Sequence, residues 1–236
     1  RNFKRLIRPA INFSSTCCLI TRSSINQIDS SNFYSVTNGY DDETNFKEPF
    51  ILKGIDKGAE QINITYIGNY YYNPVARNDM FTPWNKKKLH KKLQYSPVKE
   101  DWLYRSPYFF LKTLNKLFEK NPLLKDKVSF THIGSIPNWL EPMVNKFNLQ
   151  DNVYYTGFLS HSDMKDQIST TDLFLSTSVK VYGGEDYAIG SKTFDYLLKK
   201  KITLGFVTNG AQQNFIKESN TGVILNPDSI EDCVSS

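Results

Sequence analysis

The chain has 236 residues, 39% of them hydrophobic, with 16 Phe and 14 Tyr. This is enough apolar material for a sizeable core and excludes a wholly disordered chain. The formal charge of +5 suits phosphate-bearing ligands, anionic lipid or nucleic acid without choosing among them, and no apolar run approaches the roughly 18 residues that a membrane-crossing helix needs.

The first residues, Arg1 to Arg8, are basic but lead into no apolar signal-peptide core, and there is no initiator methionine. The chain is therefore expected to begin inside a longer protein. Cys17, Cys18 and Cys233 show neither metal spacing nor an even disulfide framework. Cys17 and Cys18 lie in an apolar run and read as buried thiols of a reducing compartment. Thr16–Thr21 and Ser35–Thr37 read as the last extended pieces of a preceding α/β domain over residues 1–45, and 46–60 as a linker.

From residue 61 short apolar runs alternate with amphipathic stretches. Ile62–Ile67 is a predicted strand, and 69–105 is a long irregular insertion rich in Tyr, Asn, Lys and Trp, of a length expected to carry function or face a partner. Pro107–Glu119 has Phe110, Leu111, Leu114, Leu117 and Phe118 at helical spacing. There follow a strand at Val128–Ile133, a helix at Asn138–Phe147, a strand at Val153–Thr156, a helix at His161–Ser169 and a strand at Asp172–Ser176. A helix opening at Ser191 leads into the strand Ile202–Val207, a helix near Ala211–Glu218 and a strand at Gly222–Leu225. The chain then ends at Ser236 before any closing helix is predicted, again as a piece of a longer protein would. Strands alternating with helices predict right-handed βαβ units and a Rossmann-like parallel sheet with helices on both faces.

In such sheets ligands bind beyond the carboxyl ends of the strands. The stretch Gly190-Ser191-Lys192-Thr193-Phe194-Asp195-Tyr196-Leu197 opens a helix on that edge. Free N–H groups and the positive dipole end of a helix start suit a phosphate. Lys192 adds a charge-assisted contact, and Asp195 can accept hydrogen bonds from sugar hydroxyls. Without a ligand, Ser191 reads as an N-cap and Asp195 as an acid compatible with the helix dipole.

Five segments in order carry a resemblance. They are Val36-Thr37-Asn38-Gly39-Tyr40-Asp41, Ile64-Thr65-Tyr66-Ile67-Gly68, the run from Leu149 through Val153 to Gly157-Phe158-Leu159-Ser160-His161, Thr171-Asp172-Leu173-Phe174-Leu175-Ser176-Thr177-Ser178, and Gly190 to Tyr196. Together, over residues 35 to 228, they resemble the carboxyl-terminal, donor-binding half of family 4 glycosyltransferases of the GT-B fold. The resemblance implies a domain at 61–236 that holds a nucleotide-sugar, and a transferase that passes the sugar to a glycan or lipid-linked acceptor without a metal or other cofactor. The acceptor side lies in the other domain, so the chain alone is expected to be inactive. It further implies that Ser191, Lys192 and Arg105 meet the diphosphate, that Gly68 leaves it room, that Asp195 holds the ribose, and that Phe158 lies near the base. Phe158 reads equally well as core. Many members carry two carboxylates eight positions apart; counting back from Asp195 gives Tyr187, and Glu185, beside Asp186 after Gly183 and Gly184, is the candidate substitute.

Lys86, Lys87, Lys88, Lys91 and Lys92 interleave with Trp84 and Trp102. The cluster reads as a solvated face or as peripheral contact with an anionic membrane, in preference to nucleic acid. The expected setting is cytoplasmic, at the inner face of the membrane, in cell-envelope polysaccharide synthesis. Two other readings are a nucleotide-sugar epimerase of related fold and a non-catalytic module that binds membranes or polyanions.

Overall fold

A computed structural model describes residues 60–92 and 98–236. The predicted remnant at 1–45, the linker up to residue 59, and Cys17 and Cys18 lie outside the described residues.

Six parallel strands form the main sheet: β1 (Ile62–Ile67), β3 (Val128–Ile133), β4 (Val153–Gly157), β5 (Leu173–Thr177), β7 (Ile202–Phe206) and β8 (Gly222–Leu225). Their order across the sheet is β4-β3-β1-β5-β7-β8. The chain steps outward from β1 one way, returns, and continues the other way, so the order reverses between β1 and β5. Two three-residue strands, β2 (Lys99–Asp101) and β6 (Lys180–Tyr182), make a separate antiparallel pair.

The alternation of side chains along each strand gives the sheet two apolar faces. On one, Ile64, Phe130, Leu173, Leu175 and Phe206 pack against α3 (Tyr108–Lys120) and α4 (Leu140–Lys146), through Phe110, Leu111, Leu114, Phe118, Met143 and Val144. On the other, Ile67, Ile133 and Phe174 meet Tyr196 of α6 (Ser191–Leu198) and Met164 and Ile168 of α5 (His161–Ser169). The Tyr196 ring lies flat on Phe174, centroids 4.2 Å apart. Ile216 of α7 (Ala211–Ser219) is fully buried, and the Cβ that Gly205 lacks would stand 2.9 Å from its Cδ1. Helices therefore cover both faces, as the periodicity predicts.

Three readings are corrected. The insertion is not wholly irregular: it holds α1 (Pro74–Phe81), α2 (Leu89–Lys92), β2 and a 3₁₀ turn at Trp102–Arg105. Asn73 caps α1 by accepting the Val75 and Ala76 N–H groups at 2.9 and 3.1 Å. A short closing helix, α8 (Ile230–Ser235), follows β8 where none is predicted. The strand expected at Asp172 begins at Leu173, because both backbone and carboxylate of Asp172 are taken by Asn63 (2.9 and 2.8 Å), a clasp that joins the starts of β1 and β5.

The loops after β1 and β3 touch backbone to backbone. Gly68 and Gly134 have φ of +131° and +146°, and a Cβ on Gly134 would sit 2.4 Å from the Gly68 carbonyl oxygen. At Gly134 only glycine fits both the conformation and the approach.

Candidate functional site

A cavity of about 250 Å³ opens at the carboxyl ends of β1 and β5, where the strand order reverses and open α/β sheets bind ligands. It is lined by Ile67, Gly68 and Asn69 after β1, by Ser176 and Thr177 at the end of β5, and by the start of α6 from Gly190 to Thr193.

The start of α6 differs from its sequence reading. Gly190, not Ser191, is the N-cap, with extended φ −64° and ψ 127°, and no side chain caps the helix. Ser191 and Lys192 are thus the first two helical residues, whose N–H groups have no partner within a helix. A helix end of this kind faces the cavity with a positive partial charge.

Gln212, from α7, sets this end in place. It is 2% exposed. Its Oε1 accepts the Gly190 N–H at 2.7 Å, while Nε2 donates to Ser176 Oγ at 3.1 Å and Thr193 Oγ1 at 2.8 Å. One side chain ties the cap of α6, its first turn and the end of β5. Tyr196 completes the frame, its hydroxyl accepting the Ile67 N–H at 3.1 Å. Burial drives that phenol far above its ordinary range, so it stays neutral.

Arg105 closes the 3₁₀ turn, and Asp101 at the turn's start accepts the Leu103 N–H at 3.1 Å. Its guanidinium lies 5.5 Å from the Trp102 ring centre. The position a Gly190 Cβ would occupy is 3.9 Å from Arg105 Nη2, which puts the charge at the helix start. Among the described residues Arg105 makes no ion pair. Lys192 pairs with Asp195 at 3.1 Å, and both side chains are about half exposed (47% and 52%). Such a pair is worth little in water, so Lys192 is free to turn to an anion.

Gly68, Arg105, Ser191 and Lys192 therefore meet around one cavity. Asp195 stands at its margin through Lys192 and does not line it. Phe158 lies elsewhere, 78% exposed, which corrects its reading as core. Glu185 is exposed, and the neighbouring Asp186 is the buried acid of the pair at 3% exposure. Tyr187 donates to Glu100 at 3.1 Å. Gln212, Thr193 and Tyr66 went unread. Thr193 sits inside the phosphate-type motif, and a polar pair just after the glycine that follows β7 was the available signal for Gln212.

Burial pushes the Asp186 carboxyl up to about 6, against the Ala188 N–H (3.3 Å) and the Arg105 charge, which pull it down. Glu100 reinforces the rise. The folded chain thus holds this proton more tightly than the unfolded chain, whose carboxyl titrates near the ordinary 3.8. The stabilisation is complete below about pH 4 and is lost as pH rises through 6. Asp186→Asn is expected to remove this slope, so the variant should gain on the wild type in Tm between pH 4 and pH 7. A Tm difference that stays constant over that range counts against it.

The lysine cluster projects from the insertion. Lys86 and Lys88 are exposed, Lys91 pairs with Asp79, and Lys92 Nζ lies 5.0 Å from the Trp84 ring centre. Among the described residues no group of His, Cys, Asp and Glu side chains is arranged to hold a metal, and no helix is long and apolar enough to cross a membrane.

No protein-family model matches the sequence, and no curated protein matches it. Solved structures do match in shape. TarM from S. aureus, a variant solved with fondaparinux, alpha-GlcNAc-glycerol and UDP, is 13% identical with a TM-score of 0.52, over 92% of this chain and 35% of that one. A second TarM structure is 12% identical with the same TM-score, over 92% and 34%. The fold is of the GT-B glycosyltransferase type. At this identity the likeness speaks to fold alone, and the chain spans about a third of the length of the structures it matches.

Proposed function

We propose that this chain is the donor-binding part of a glycosyltransferase, holding the diphosphate of a nucleotide-sugar on the start of α6. The observation that carries this reading is the meeting of Gly68, Arg105, Ser191 and Lys192 around one cavity at the reversal of the strand order. The anion takes the free N–H groups of the helix start and a charge-assisted contact from Arg105, and Lys192 swings from Asp195 to join them. Asp195, released, turns to the ribose hydroxyls. In transfer these groups stabilise the charge that gathers on the departing nucleoside diphosphate, with no metal in the step. The bound UDP of the TarM complex fits this class of ligand. The family 4 assignment, the carboxyl-terminal position of the domain, a glycan or lipid-linked acceptor, inactivity of the chain alone, and a cytoplasmic setting with Lys86–Lys92 against an anionic membrane belong to the same proposal. No observation favours an epimerase or a purely binding module.

Calorimetric titration with UDP, GDP, ADP and dTDP tests it. One nucleotide should bind selectively. Arg105→Ala should weaken it by about 10- to 100-fold, the loss expected for charged hydrogen bonds of roughly 1.5–3 kcal/mol, with Tm within a few degrees of wild type. The double variant Lys192→Ala, Asp195→Ala should weaken it further. A folded chain that binds none of the four, or an Arg105→Ala variant that binds like wild type, overturns the reading.

A further inference from the structure

A second cavity of about 300 Å³ lies in the insertion, between α1, β2 and the Trp102 turn. Tyr71 lines both this cavity and the one at α6, and the Trp102 indole that forms its wall carries the Arg105 guanidinium. The two spaces are therefore neighbours.

The lining chooses the chemistry. Tyr71, 68% exposed, and Trp102 stand edge to face with ring centres 6.3 Å apart, and Ala76 and Met80 extend the apolar surface. The one cation, Arg77, is spent: it holds the fully buried Asp101 through two contacts of 2.6 and 2.7 Å. The cavity thus has no free positive charge for a phosphate or carboxylate. Its remaining polar capacity is neutral or negative. Glu100 receives Trp102 Nε1 at 3.2 Å and the Tyr187 hydroxyl at 3.1 Å, one on each oxygen, and each carboxylate oxygen keeps a further lone pair. Asn73 spends its Oδ1 on the α1 cap, which leaves its amide N–H groups to donate. An apolar, aromatic wall with one fixed acceptor and one donor fits a ring with C–H faces and hydroxyl edges.

We infer that this cavity is a subsite for a neutral pyranose, held beside the diphosphate that the previous section assigns to α6. The inference rests on that reading for the ligand it adjoins. The pyranose is either the glycosyl group of the donor or a sugar of the acceptor. Tyr71 and Trp102 pack on the ring, Glu100 takes a hydroxyl proton into a hydrogen bond, and Asn73 donates to a neighbouring oxygen. The subsite belongs to the insertion, so the segment that lengthens this domain is also the one that selects its sugar.

Two variants and two kinds of ligand test this. Ala76 is exposed on α1, so Ala76→Trp fills the cavity without disturbing the core. Glu100→Gln removes the charge and keeps the shape. Both are compared with wild type in calorimetric titration of UDP, GDP, ADP, dTDP and the matching nucleotide-hexoses, and in saturation-transfer NMR with methyl glucoside, galactoside, mannoside and N-acetylglucosaminide. Thermal melts confirm folding. If the sugar comes from the donor, a nucleotide-hexose binds wild type at least about fivefold tighter than its parent diphosphate. That gain disappears in both variants, while the diphosphate itself binds unchanged. If it comes from the acceptor, a methyl glycoside shows saturation transfer that both variants lose. Glycoside binding that depends on Ala76 and Glu100 in a chain that binds no nucleotide keeps the subsite and defeats the donor reading. Folded variants that bind every ligand as wild type does, or a wild type that responds to no pyranose, overturn the inference.

Discussion

Gln212→Ala is expected to lower folding stability by about 2–5 kcal/mol and to weaken nucleotide binding with it. The side chain is nearly inaccessible and serves three partners, the Gly190 N–H, Ser176 Oγ and Thr193 Oγ1. Truncation leaves those groups in a space too closed for easy rehydration, at roughly 1–3 kcal/mol for each buried group left unpaired, and adds a cavity. For a chain of this size the loss corresponds to a fall in Tm of about 5–15 °C. Binding suffers because the first turn of α6 is no longer pinned to β5, so the N–H groups proposed to hold the anion lose their fixed direction. A thermal melt and a nucleotide titration on the same sample read both effects. Their joint loss separates Gln212, a positioning residue, from Arg105, whose removal touches affinity alone. A variant melting within about 2 °C of wild type would show that the three partners find replacements.

Gly210→Ala is expected to be severely destabilising. Gly210 has φ +139° and ψ −158°, and a Cβ there would lie 2.1 Å from the Asp186 carbonyl oxygen and 2.5 Å from its nitrogen. That contact cannot yield locally. Asp186 N–H donates to the Asn209 carbonyl at 2.9 Å, and its own carbonyl accepts the Ala211 N–H at 2.7 Å. The added methyl therefore pushes apart the loop that carries Asp186 and the start of α7 that carries Gln212. Backbone strain and overpacking each cost about 1–3 kcal/mol. The variant should melt more than 10 °C below wild type, on the order expected from that sum, or fail to accumulate in soluble form. Gly183→Ala is the control: its φ of +78° is also positive, but nothing lies within 4 Å of the added carbon, and only the conformational cost of roughly 1–2 kcal/mol applies. Equal melting temperatures for the two variants would refute the steric account.

The main sheet was legible because each strand buries side chains with a simple period and each is followed by a helix that covers it. Ile62–Ile67, Val128–Ile133 and Gly222–Leu225 stand where the periodicity puts them. The insertion was not legible for the opposite reason. α1 buries no residue and is tied down by the Arg77–Asp101 contact, and β2 and β6 are three residues each and pair across some eighty positions of chain. No window of sequence contains both ends of such a contact. At the site, a phosphate-type helix start was visible in Gly190 to Lys192. The cap is Gly190 and not Ser191 because Gly190, held by Gln212 Oε1, keeps the extended conformation while Ser191 is already helical. The choice of Asp186 over Glu185 as the inward acid likewise depends on the pairing of its backbone with Asn209 and Ala211, a helix and a strand further along the chain.

The contact of Gly68 with Gly134 has a bearing on engineering. Where Gly134 meets Gly68 at the margin of the α6 cavity, main chain is pressed on main chain, so a mutant library aimed at Gly134 is expected to yield destabilised clones. The insertion offers the reverse. Ala76 and Met80 are side chains on α1, outside the sheet and outside the lining of the α6 cavity, and randomising them is expected to leave that cavity and the core intact. A selection that probes the proposed pyranose subsite belongs there.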